Sequence, residues 1–390
     1  MKKNIFLLAG TALCCACWSL SSCNSDEVDY THLPKDAKLS LALQGSSPQI
    51  ETRATATDFP TNEGNLQRIT VGVFFANGST NVIEELEAGQ LTAGATTPNI
   101  LCAAGNGQTV IVVANTPASL FAGASTKADF IAKKVSLQQT VSGGNTWQTA
   151  DNLPMSGENI VDIAPGSTPT KATVSLSRLV ARVSVGSIRT EFAPTGQYGN
   201  ATFKLTDIYA YNVPTTSNVE SGTTLFPVTT NFTGGMNDTG VPVTGSEYLM
   251  HSLNKAAAGG SSANLINGAR YWFYTFANQE GTQPADVTTP HPLKLVIKGE
   301  FDADGNGSKP AVTVHYPIVV NKAQAGTSFT GGDSNNGNSN VYRNATYDVS
   351  VVIRGKGSDS PEEDVEQAYL VVSVNVAPWA INLTQEVIFD

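Results

Sequence analysis

Charged residues are scarce in this chain of 390 residues, since Asp, Glu, Lys and Arg together make up only 14% of it. The shortage is greater for positive charge, because 23 Lys and Arg residues stand against 33 Asp and Glu residues, for a net charge of −10. Nucleic acids and anionic lipids attract basic surfaces, so this balance speaks against both as partners. The low charge, together with many Gly, Thr, Val, Asn and Ser residues, predicts an all-β secreted protein with long polar loops and little helix.

Histidine is also scarce, and this bears on catalysis. Three of the four histidines, His251, His291 and His315, follow the N-terminal region. None belongs to a His-x-x-x-His pair or lies near a Gly-x-Ser-x-Gly motif, and Cys102 has no activating partner nearby in the sequence. We therefore predict that the chain is not an enzyme and has neither a cofactor nor a metal site. His315 lies on the exposed side of an alternating strand and is predicted to be a surface residue.

Cysteine is rare as well, and four of the five cysteines fall within the first 23 residues. A basic start and an apolar stretch lead there to Leu-Ser-Ser-Cys at 20–23. This pattern predicts a lipoprotein signal peptide at 1–22, with Cys23 as the lipidated first residue of the exported protein. A plain signal peptide followed by an unmodified cysteine is the alternative. Once this region is removed Cys102 has no disulfide partner, so we predict a buried or half-buried free thiol.

A strand is predicted soon after the signal. Three leucines alternate with smaller or polar residues in Lys-Leu-Ser-Leu-Ala-Leu-Gln-Gly, which is the period of a half-buried strand. They are Leu39, Leu41 and Leu43. Arg53 then follows in a polar, Thr- and Ala-rich segment of the kind that proteases cut in exposed loops. A cut between Arg53 and Ala54 would release residues 23–53 as a propeptide, so we interpret the strand as a temporary plug.

The end of the chain offers a replacement for this strand. Its apolar residues also alternate with polar ones, and they are Ile381, Leu383, Val387 and Phe389. A strand that leaves a β-sandwich exposes an apolar groove and two unpaired backbone edges, which another strand can fill. We predict that residues 381–389 are a donor strand that fills the groove of another copy of the chain.

The chain after the predicted cut is too long for one β-sandwich and suits two. We predict an N-terminal domain at 54–187 and a C-terminal domain at 188–390 that includes the donor strand. Alternating or continuous apolar strand patterns recur through both domains. One helix is predicted in the first domain, from Ala118 to Ser136. The Gly- and Asn-rich loop at 323–340 is predicted to have too little apolar area to order itself.

The stretch from Ala172 to Val185 carries two arginines and a change in pattern. Its apolar residues move from one alternating side to the other near Arg178, which predicts a β-bulge within a single strand. Arg178 and Arg182 would then point together away from the apolar face. Two interpretations are open for the pair. The arginines simply solvate a sheet face, or they grip an anion or a neighbouring subunit.

Oxygen-bearing side chains alternate in Asp-Ala-Asp-Gly-Asn-Gly at 302–307, like the first half of a calcium loop. The position at which such loops place a bidentate glutamate is occupied by Thr313. Asp, Asn and Gly are also the preferred residues of turns, so a polar turn is the simpler interpretation. Calcium binding stays an open alternative.

Four features together resemble the FimA-like fimbrillins, the major pilins of Bacteroidales type V pili. They are the lipobox at Cys23, the Arg53–Ala54 junction after a strand, Ser-Arg-Leu-Val-Ala-Arg-Val at 177–183, and Val-Ala-Pro-Trp at 376–379 before a terminal strand. The resemblance implies two transthyretin-like β-sandwich domains in tandem and export as an outer-membrane lipoprotein. It further implies trimming by an Arg-specific protease and polymerisation by donor-strand exchange into an adhesive fimbrium on the cell surface.

Two alternatives stay open. An accessory, tip or anchor pilin shares the fold, but an anchor should lack the cleavable arginine and a tip should lack the donor strand. A surface glycan-binding lipoprotein should show a cluster of exposed aromatic residues, such as Trp272 or Trp379, and would not need two exchangeable end strands. The presence of both Arg53 and residues 381–389 favours a stalk subunit that polymerises with other pilin subunits.

Overall fold

Strand pairing dominates the computed structural model of the chain. It describes residues 33–45, 59–60, 62–91, 95–137, 150–222, 226, 231–260, 262–279, 291–330, 336–365 and 369–379. Within these ranges there are 21 strands and a single α-helix, so the prediction of an all-β chain is confirmed. The described residues from Pro34 onward belong to one compact unit, and the following concerns that unit. No helix among the described residues is long and apolar enough to cross a membrane.

Eight strands belong to the N-terminal half of the chain. They are β1 (Ala37–Gly45), β2 (Arg68–Phe74), β3 (Thr80–Glu87), β4 (Ile100–Cys102), β5 (Gly105–Ala114), β6 (Lys134–Ser136), β7 (Met155–Ile163) and β8 (Thr170–Arg178). Seven of them form one sheet in the order β3-β2-β5-β7-β8-β1-β4. The hairpin from β2 to β3 turns at Asn77 and Gly78, and Gly78 takes the positive φ of 85° that the turn requires.

Strands from both ends of this sheet contribute to one core. β7 and β8 pair at Met155–Arg178 and Ser156–Ser177 and stay adjacent farther along, where Asn159 Nδ2 donates to the Thr173 carbonyl oxygen at 2.8 Å. The inward residues of the sheet share the first hydrophobic core. Leucines of β1 and valines of β2, β5 and β8 meet there.

Thirteen strands form the C-terminal half. They are β9 (Val180–Thr190), β10 (Thr202–Tyr211), β11 (Val213–Pro214), β12 (Thr216–Asn218), β13 (Phe232–Thr233), β14 (Met250–Ser252), β15 (Ala258–Gly259), β16 (Ala263–Phe276), β17 (Lys294–Asp302), β18 (Val312–Val319), β19 (Thr327–Thr330), β20 (Ala345–Ile353) and β21 (Leu370–Pro378). Two five-stranded sheets, β16-β9-β20-β21-β19 and β14-β10-β17-β18 with β15 beside β10, contribute to a second and larger core, which also includes Phe74, Ile111 and Phe130 of the N-terminal half. Short pairs join β11 to β13 and β6 to β12.

The predicted bulge near Arg178 is wrong, because the apolar pattern shifts where the chain changes sheets. β8 ends at Arg178, and β9 begins at Val180 in the other half of the molecule. Leu179 alone links the two strands, so each keeps its own alternation. The predicted domain boundary between residues 187 and 188 falls inside β9, and the division into two tandem domains stays a prediction.

The predicted helix from Ala118 to Ser136 is shorter than expected. The α-helix is Lys127–Ile131, and a capping box between Thr126 and Asp129 starts it. Before it, Ser119 and Gly123 take positive φ values of 58° and 77°, which a helix cannot accommodate. After it the chain enters β6. The apolar residues of this region still pack inward, as Phe130 stacks on Phe121 with ring centroids 4.1 Å apart.

Part of the Gly- and Asn-rich loop is ordered, contrary to prediction. Thr327–Thr330 forms β19, which pairs in parallel with β21 at the edge of its sheet. Backbone pairing holds this strand, and its Phe329 packs half-buried against the larger hydrophobic core. Residues 331–335 of the loop lie outside the described residues. Short 3₁₀ helices occur elsewhere, at Ala88–Gln90, Ala150–Asn152 and Glu247–Leu249.

Candidate functional site at the first strand and the strand crossing

β1 is an interior strand that is hydrogen-bonded along both edges. It runs parallel to β8 over seven residue pairs and antiparallel to β4 over three. Beyond β4, the Leu43 N–H donates to Ala95 O at 3.0 Å, and the Thr97 N–H donates to Leu41 O at 2.9 Å. Removal of β1 would therefore open a slot with a hydrogen-bonding strand on each side.

The predicted plug leucines point into the first core. Leu39 and Leu41 are fully buried, and Leu43 is 5% exposed. The alternate residues Lys38 and Ser40 are only half-buried. Burying a leucine side chain contributes about 1.5–3 kcal/mol. Apolar burial and backbone hydrogen bonds thus hold β1. Another strand with the same alternation of apolar and polar residues could make the same contacts.

Cys102 lies on β4, directly beside the start of β1 in the same sheet. It is a buried free thiol, as predicted, and it pairs in register with Ala37 at the start of the strand. Its Sγ lies 4.0 Å from the Ala37 carbonyl oxygen. Burial raises the pKa of this thiol to about 11; the negative charge of Asp36 adds to the rise and Lys35 opposes it. The thiol is therefore unreactive while β1 is in place.

Arg178 and Arg182 are buried, so the prediction that they point away and solvate a sheet face is wrong. They are 2% and 8% exposed. Both turn toward Glu63, in the turn before β2. Arg182 Nη1 donates to the two carboxylate oxygens at 2.8 and 2.7 Å. Arg178 Nε and Nη2 donate to the Glu63 main-chain oxygen at 3.3 and 3.2 Å. Because the chain changes sheets at Leu179, both arginines lie at the crossing rather than on one sheet face.

Two aromatic residues complete this site. The Tyr274 hydroxyl donates to Glu63 Oε1 at 2.7 Å, and Trp379 Nε1 donates to Oε2 at 3.2 Å. The guanidinium carbons of Arg178 and Arg182 lie 4.1 and 4.7 Å from the centre of the Trp379 ring, within the range of cation–π attraction. These five residues, Glu63, Arg178, Arg182, Tyr274 and Trp379, are called the Glu63 cluster below.

Burial shifts the pKa values of Arg178 and Tyr274. It lowers the pKa of Arg178 to about 10, although the Glu63 carboxylate opposes the shift. It also raises the pKa of Tyr274 far above its usual range, with the Glu63 charge adding to the rise, so the hydroxyl stays a donor. Removing one partner from such a buried ionic group costs far more than losing a surface ion pair, because the remaining charge loses its compensation.

The residues predicted to be processed or exchanged lie outside the described residues. They are Cys23, Arg53, Ala54, Ile381, Leu383, Val387 and Phe389. Phe59 is the first described residue after the predicted cut, and its ring centre lies 3.6 Å from the Arg182 guanidinium carbon. Trp379 is the last described residue before the predicted donor strand. The described residues that flank both segments therefore contact the same arginine.

His315 is buried, which contradicts its prediction as a surface residue. It is 3% exposed, and its N–H donates to Ser358 O at 2.8 Å. The segment around Ser358 covers the side of β18 that the alternation assigned to solvent. Burial, followed by the positive charge of Lys298, lowers the pKa of this histidine.

The possible calcium loop is organised by its own backbone. Asp302 accepts the N–H groups of Gly305 and Gly307 at 3.1 and 3.2 Å, and Asp304 accepts that of Asn306 at 3.3 Å. This is the hydrogen bonding of a polar turn. In the part of the chain that the structure describes, no three His, Cys, Asp or Glu side chains converge as metal ligands.

The two tryptophans do not form an open platform. Trp379 is buried, and its ring stacks on Tyr274 with centroids 5.8 Å apart and planes at 10°. Trp272 is half-buried and meets Phe59 edge-on at 5.8 Å. This arrangement does not favour the glycan-binding alternative, which requires exposed aromatic faces.

Sequence reasoning missed Glu63 and Tyr274. Glu63 lies in a polar turn with no periodic neighbours, and Tyr274 lies in the aromatic run from Arg270 to Asn278. A possible signal was the pair of arginines at Arg178 and Arg182, since two cations in an otherwise apolar stretch imply a distant carboxylate.

Two family profiles match the chain and together span more than half of it. The major fimbrial subunit protein (FimA) profile matches residues 37–178, and the FimA4 pilin C-terminal domain profile matches residues 290–379. Among curated relatives, the major fimbrium subunit FimA type-2 of Porphyromonas gingivalis is 26% identical over 98% of both chains. FimA type-5 of the same species is 25% identical over 98% of both chains.

Solved structures share the fold. A fimbrilin from Porphyromonas gingivalis W83 superposes with a TM-score of 0.62 at 19% identity, covering 89% of this chain and 98% of the other. A cell adhesion protein from Parabacteroides distasonis gives a TM-score of 0.65 at 18% identity, with coverage of 89% and 98%. At this level of identity the structures show the fold alone.

Fold and matches together define a fimbrial structural subunit of the pilin class. The chain belongs to the FimA-like fimbrillin family. Its relatives are structural subunits rather than enzymes, which confirms the prediction that this chain is not an enzyme. Membership of the family implies that the protein belongs to a fimbrium at the cell surface.

Proposed function

We propose that the chain is the stalk subunit of a type V pilus that serves adhesion. It is exported as an outer-membrane lipoprotein on Cys23, cut between Arg53 and Ala54 by an Arg-specific protease, and polymerised by donor-strand exchange. Residues 381–389 of one copy then take the place of β1 in the next. This assembly requires no nucleic acid, metal or cofactor.

The placement of β1 carries this proposal. The strand fills the interior of a sheet, yet it belongs to the segment that precedes Arg53 and is joined to the rest of the chain through residues 46–58. One cut in that segment would leave β1 attached by non-covalent contacts alone. The nine residues of β1 match the nine residues of the predicted donor strand in length.

Deletion of residues 381–390 tests the donor strand. The shortened protein should be secreted, folded and cut after Arg53, and it should accept a donor without supplying one. It should therefore cap fibres and shorten them when mixed with intact protein, as measured by electron microscopy. Fibres of normal length from the shortened protein alone would place the donor strand elsewhere, most simply in β21.

A pair of single substitutions provides a matched control for the deletion. Leu383→Asp puts a carboxylate on the apolar side of the predicted donor strand, where burial without a partner is heavily penalised. Thr384→Asp puts the same group on the opposite side. Leu383→Asp should block polymerisation, whereas Thr384→Asp should leave fibre length unchanged. Equal effects of the two would contradict the predicted alternation.

The reactivity of the Cys102 thiol should show whether the slot left by β1 is filled or empty. In a precursor that begins at residue 24, Cys102 is the only cysteine. Release of β1 should return its pKa toward the ordinary range and raise its reaction rate with a thiol reagent by roughly 10²-fold at pH 8. A synthetic peptide of residues 380–390 should reverse that change. An unchanged rate after cleavage would show that β1 stays in place.

N-terminal sequencing of fibres sheared from cells separates the stalk role from the alternatives. A start at Ala54 supports the stalk subunit. A lipid-bearing start at Cys23 would support an anchor pilin or a surface-binding lipoprotein instead.

A further inference from the structure

The Glu63 cluster joins four parts of the chain that are far apart in sequence. Glu63 follows the predicted cut site, Arg178 and Arg182 flank the crossing from β8 to β9, Tyr274 lies on β16, and Trp379 follows β21. None of these residues belongs to β1. Loss of β1 therefore removes no member of the cluster, and the trimmed subunit keeps every contact among its members.

Trp379 is fixed through both its main chain and its side chain. Its N–H donates to Asn344 O at 2.9 Å, and its carbonyl oxygen accepts from Arg178 Nη1 at 3.4 Å. The indole Nε1 donates to Glu63 Oε2, and the ring packs on Tyr274 and on the two guanidinium groups. These contacts set the direction in which the chain leaves Trp379.

The region just after the predicted cut is held by the same group of residues. Phe59 lies under the Arg182 guanidinium, and Arg182 binds the Glu63 carboxylate. Glu63 thus bridges the segment that becomes the new N-terminal region and the residue from which the C-terminal segment departs.

We propose that Glu63 is a positioning residue for assembly, which holds Trp379 so that residues 380–390 leave the trimmed subunit from a fixed point and in a fixed direction. The inference rests on the proposed function, because it assigns these residues the donor role. A donor segment that is anchored and oriented at its base loses less freedom on binding than one that departs from a mobile residue. The Glu63 cluster should therefore affect donating a strand much more than accepting one.

The test measures donating and accepting separately in trimmed Glu63→Gln protein. Accepting is measured as capture of a synthetic peptide of residues 380–390, and donating as the rate of self-polymerisation. Peptide capture should stay close to that of the unchanged protein, whereas polymerisation should slow by roughly tenfold or more. Glu191→Gln is the matched control, because Glu191 also binds an arginine, Arg354, at 2.6 Å but at the far end of β9. It should change neither quantity.

Milder variants keep the test informative if Glu63→Gln protein fails to fold. Tyr274→Phe and Trp379→Phe each remove one hydrogen-bond donor to Glu63 and keep an aromatic ring. Both should slow polymerisation while peptide capture is preserved. Glu63→Asp keeps the carboxylate and should recover part of the polymerisation rate that Glu63→Gln loses.

Two results would overturn the inference. Polymerisation of Glu63→Gln, Tyr274→Phe and Trp379→Phe protein at the ordinary rate would show that Trp379 needs no positioning. An equal loss of accepting and donating would show that the Glu63 cluster only maintains the fold. Failure of the unchanged trimmed protein to capture the peptide is a separate result, which contradicts the proposed donor-strand exchange and the inference together.

Discussion

β1 and Glu63 lie on opposite sides of the predicted cut at Arg53. The contacts that hold β1 differ in kind from those that hold the Glu63 cluster. β1 is held by buried leucines and a backbone ladder, both of which any strand with the same alternation can supply. The Glu63 cluster is held by a carboxylate, two guanidinium groups and two aromatic rings in fixed geometry. Only the first kind of contact can be made again by a different partner.

Because of this difference, β1 can be replaced by another strand, whereas the Glu63 cluster cannot exchange its partners. Apolar burial is non-directional, so a slot lined by aliphatic residues accepts another strand. A buried ionic group requires its own partners, since each charge is costly without them. The cut at Arg53 would fall between the two kinds of contact, so it would release β1 and spare the Glu63 cluster.

Arg53→Ala should have the largest effect, because it leaves β1 covalently attached and the slot filled. We expect uncut, lipid-bearing monomers and a complete loss of fibres, as seen by electron microscopy and N-terminal sequencing. Arg53→Lys is a useful control, since it preserves the charge but not the side chain that an Arg-specific protease recognises. Fibres of normal length from Arg53→Ala protein would show that β1 does not gate assembly.

Glu63→Gln should destabilise the precursor by about 3–5 kcal/mol, because it leaves two buried guanidinium groups without a carboxylate. The measurement is urea-induced unfolding of the uncut protein. Fibres should lose resistance to urea as well, since trimming spares the Glu63 cluster. A change below about 1 kcal/mol, the scale of a surface ion pair, would contradict the importance of burial at this site.

Leu41→Ala should destabilise the precursor by about 3 kcal/mol, because it leaves a cavity in the first core. Trimmed fibres made from this protein should be as stable as those of the unchanged chain, since β1 is no longer present in them. This pattern is the opposite of that expected for Glu63→Gln, which affects both forms. Fibres weakened by Leu41→Ala would indicate that β1 stays in the assembled subunit.

Local patterns predicted what depends on neighbours in sequence. The alternation of Leu39, Leu41 and Leu43 identified β1 and its buried face, because a strand's period is visible within a few residues. The same alternation said nothing about the partner strand, since β8 lies more than a hundred residues away. The helix from Ala118 was predicted too long because positive φ at Ser119 and Gly123 leaves no periodic signal.

The Glu63 cluster shows where such reasoning fails. Arg178 and Arg182 were counted as neighbours on one strand, whereas they belong to two strands in different sheets. Their carboxylate, Glu63, is more than a hundred residues away and lies in a turn. Only the non-local fold brings these residues together, so the sequence pointed to a solvated pair where the structure has a buried one.

Rising pH should destabilise the folded precursor through Cys102, and this is the smallest effect expected. Burial raises the pKa of the thiol from 9.0 to about 11 in the folded precursor. A group whose pKa is raised by folding stabilises the fold fully below its unfolded pKa and loses that contribution as pH rises through the folded value.

The free energy of unfolding of the precursor should therefore fall by about 1–2 kcal/mol between pH 9 and pH 11. Cys102→Ala protein should lack this part of the pH dependence. Comparing the urea midpoints of the precursor and its Cys102→Ala variant across this range isolates the thiol from the tyrosines that titrate nearby in pH. Identical profiles for the two proteins would mean that β1 does not shield Cys102 from water.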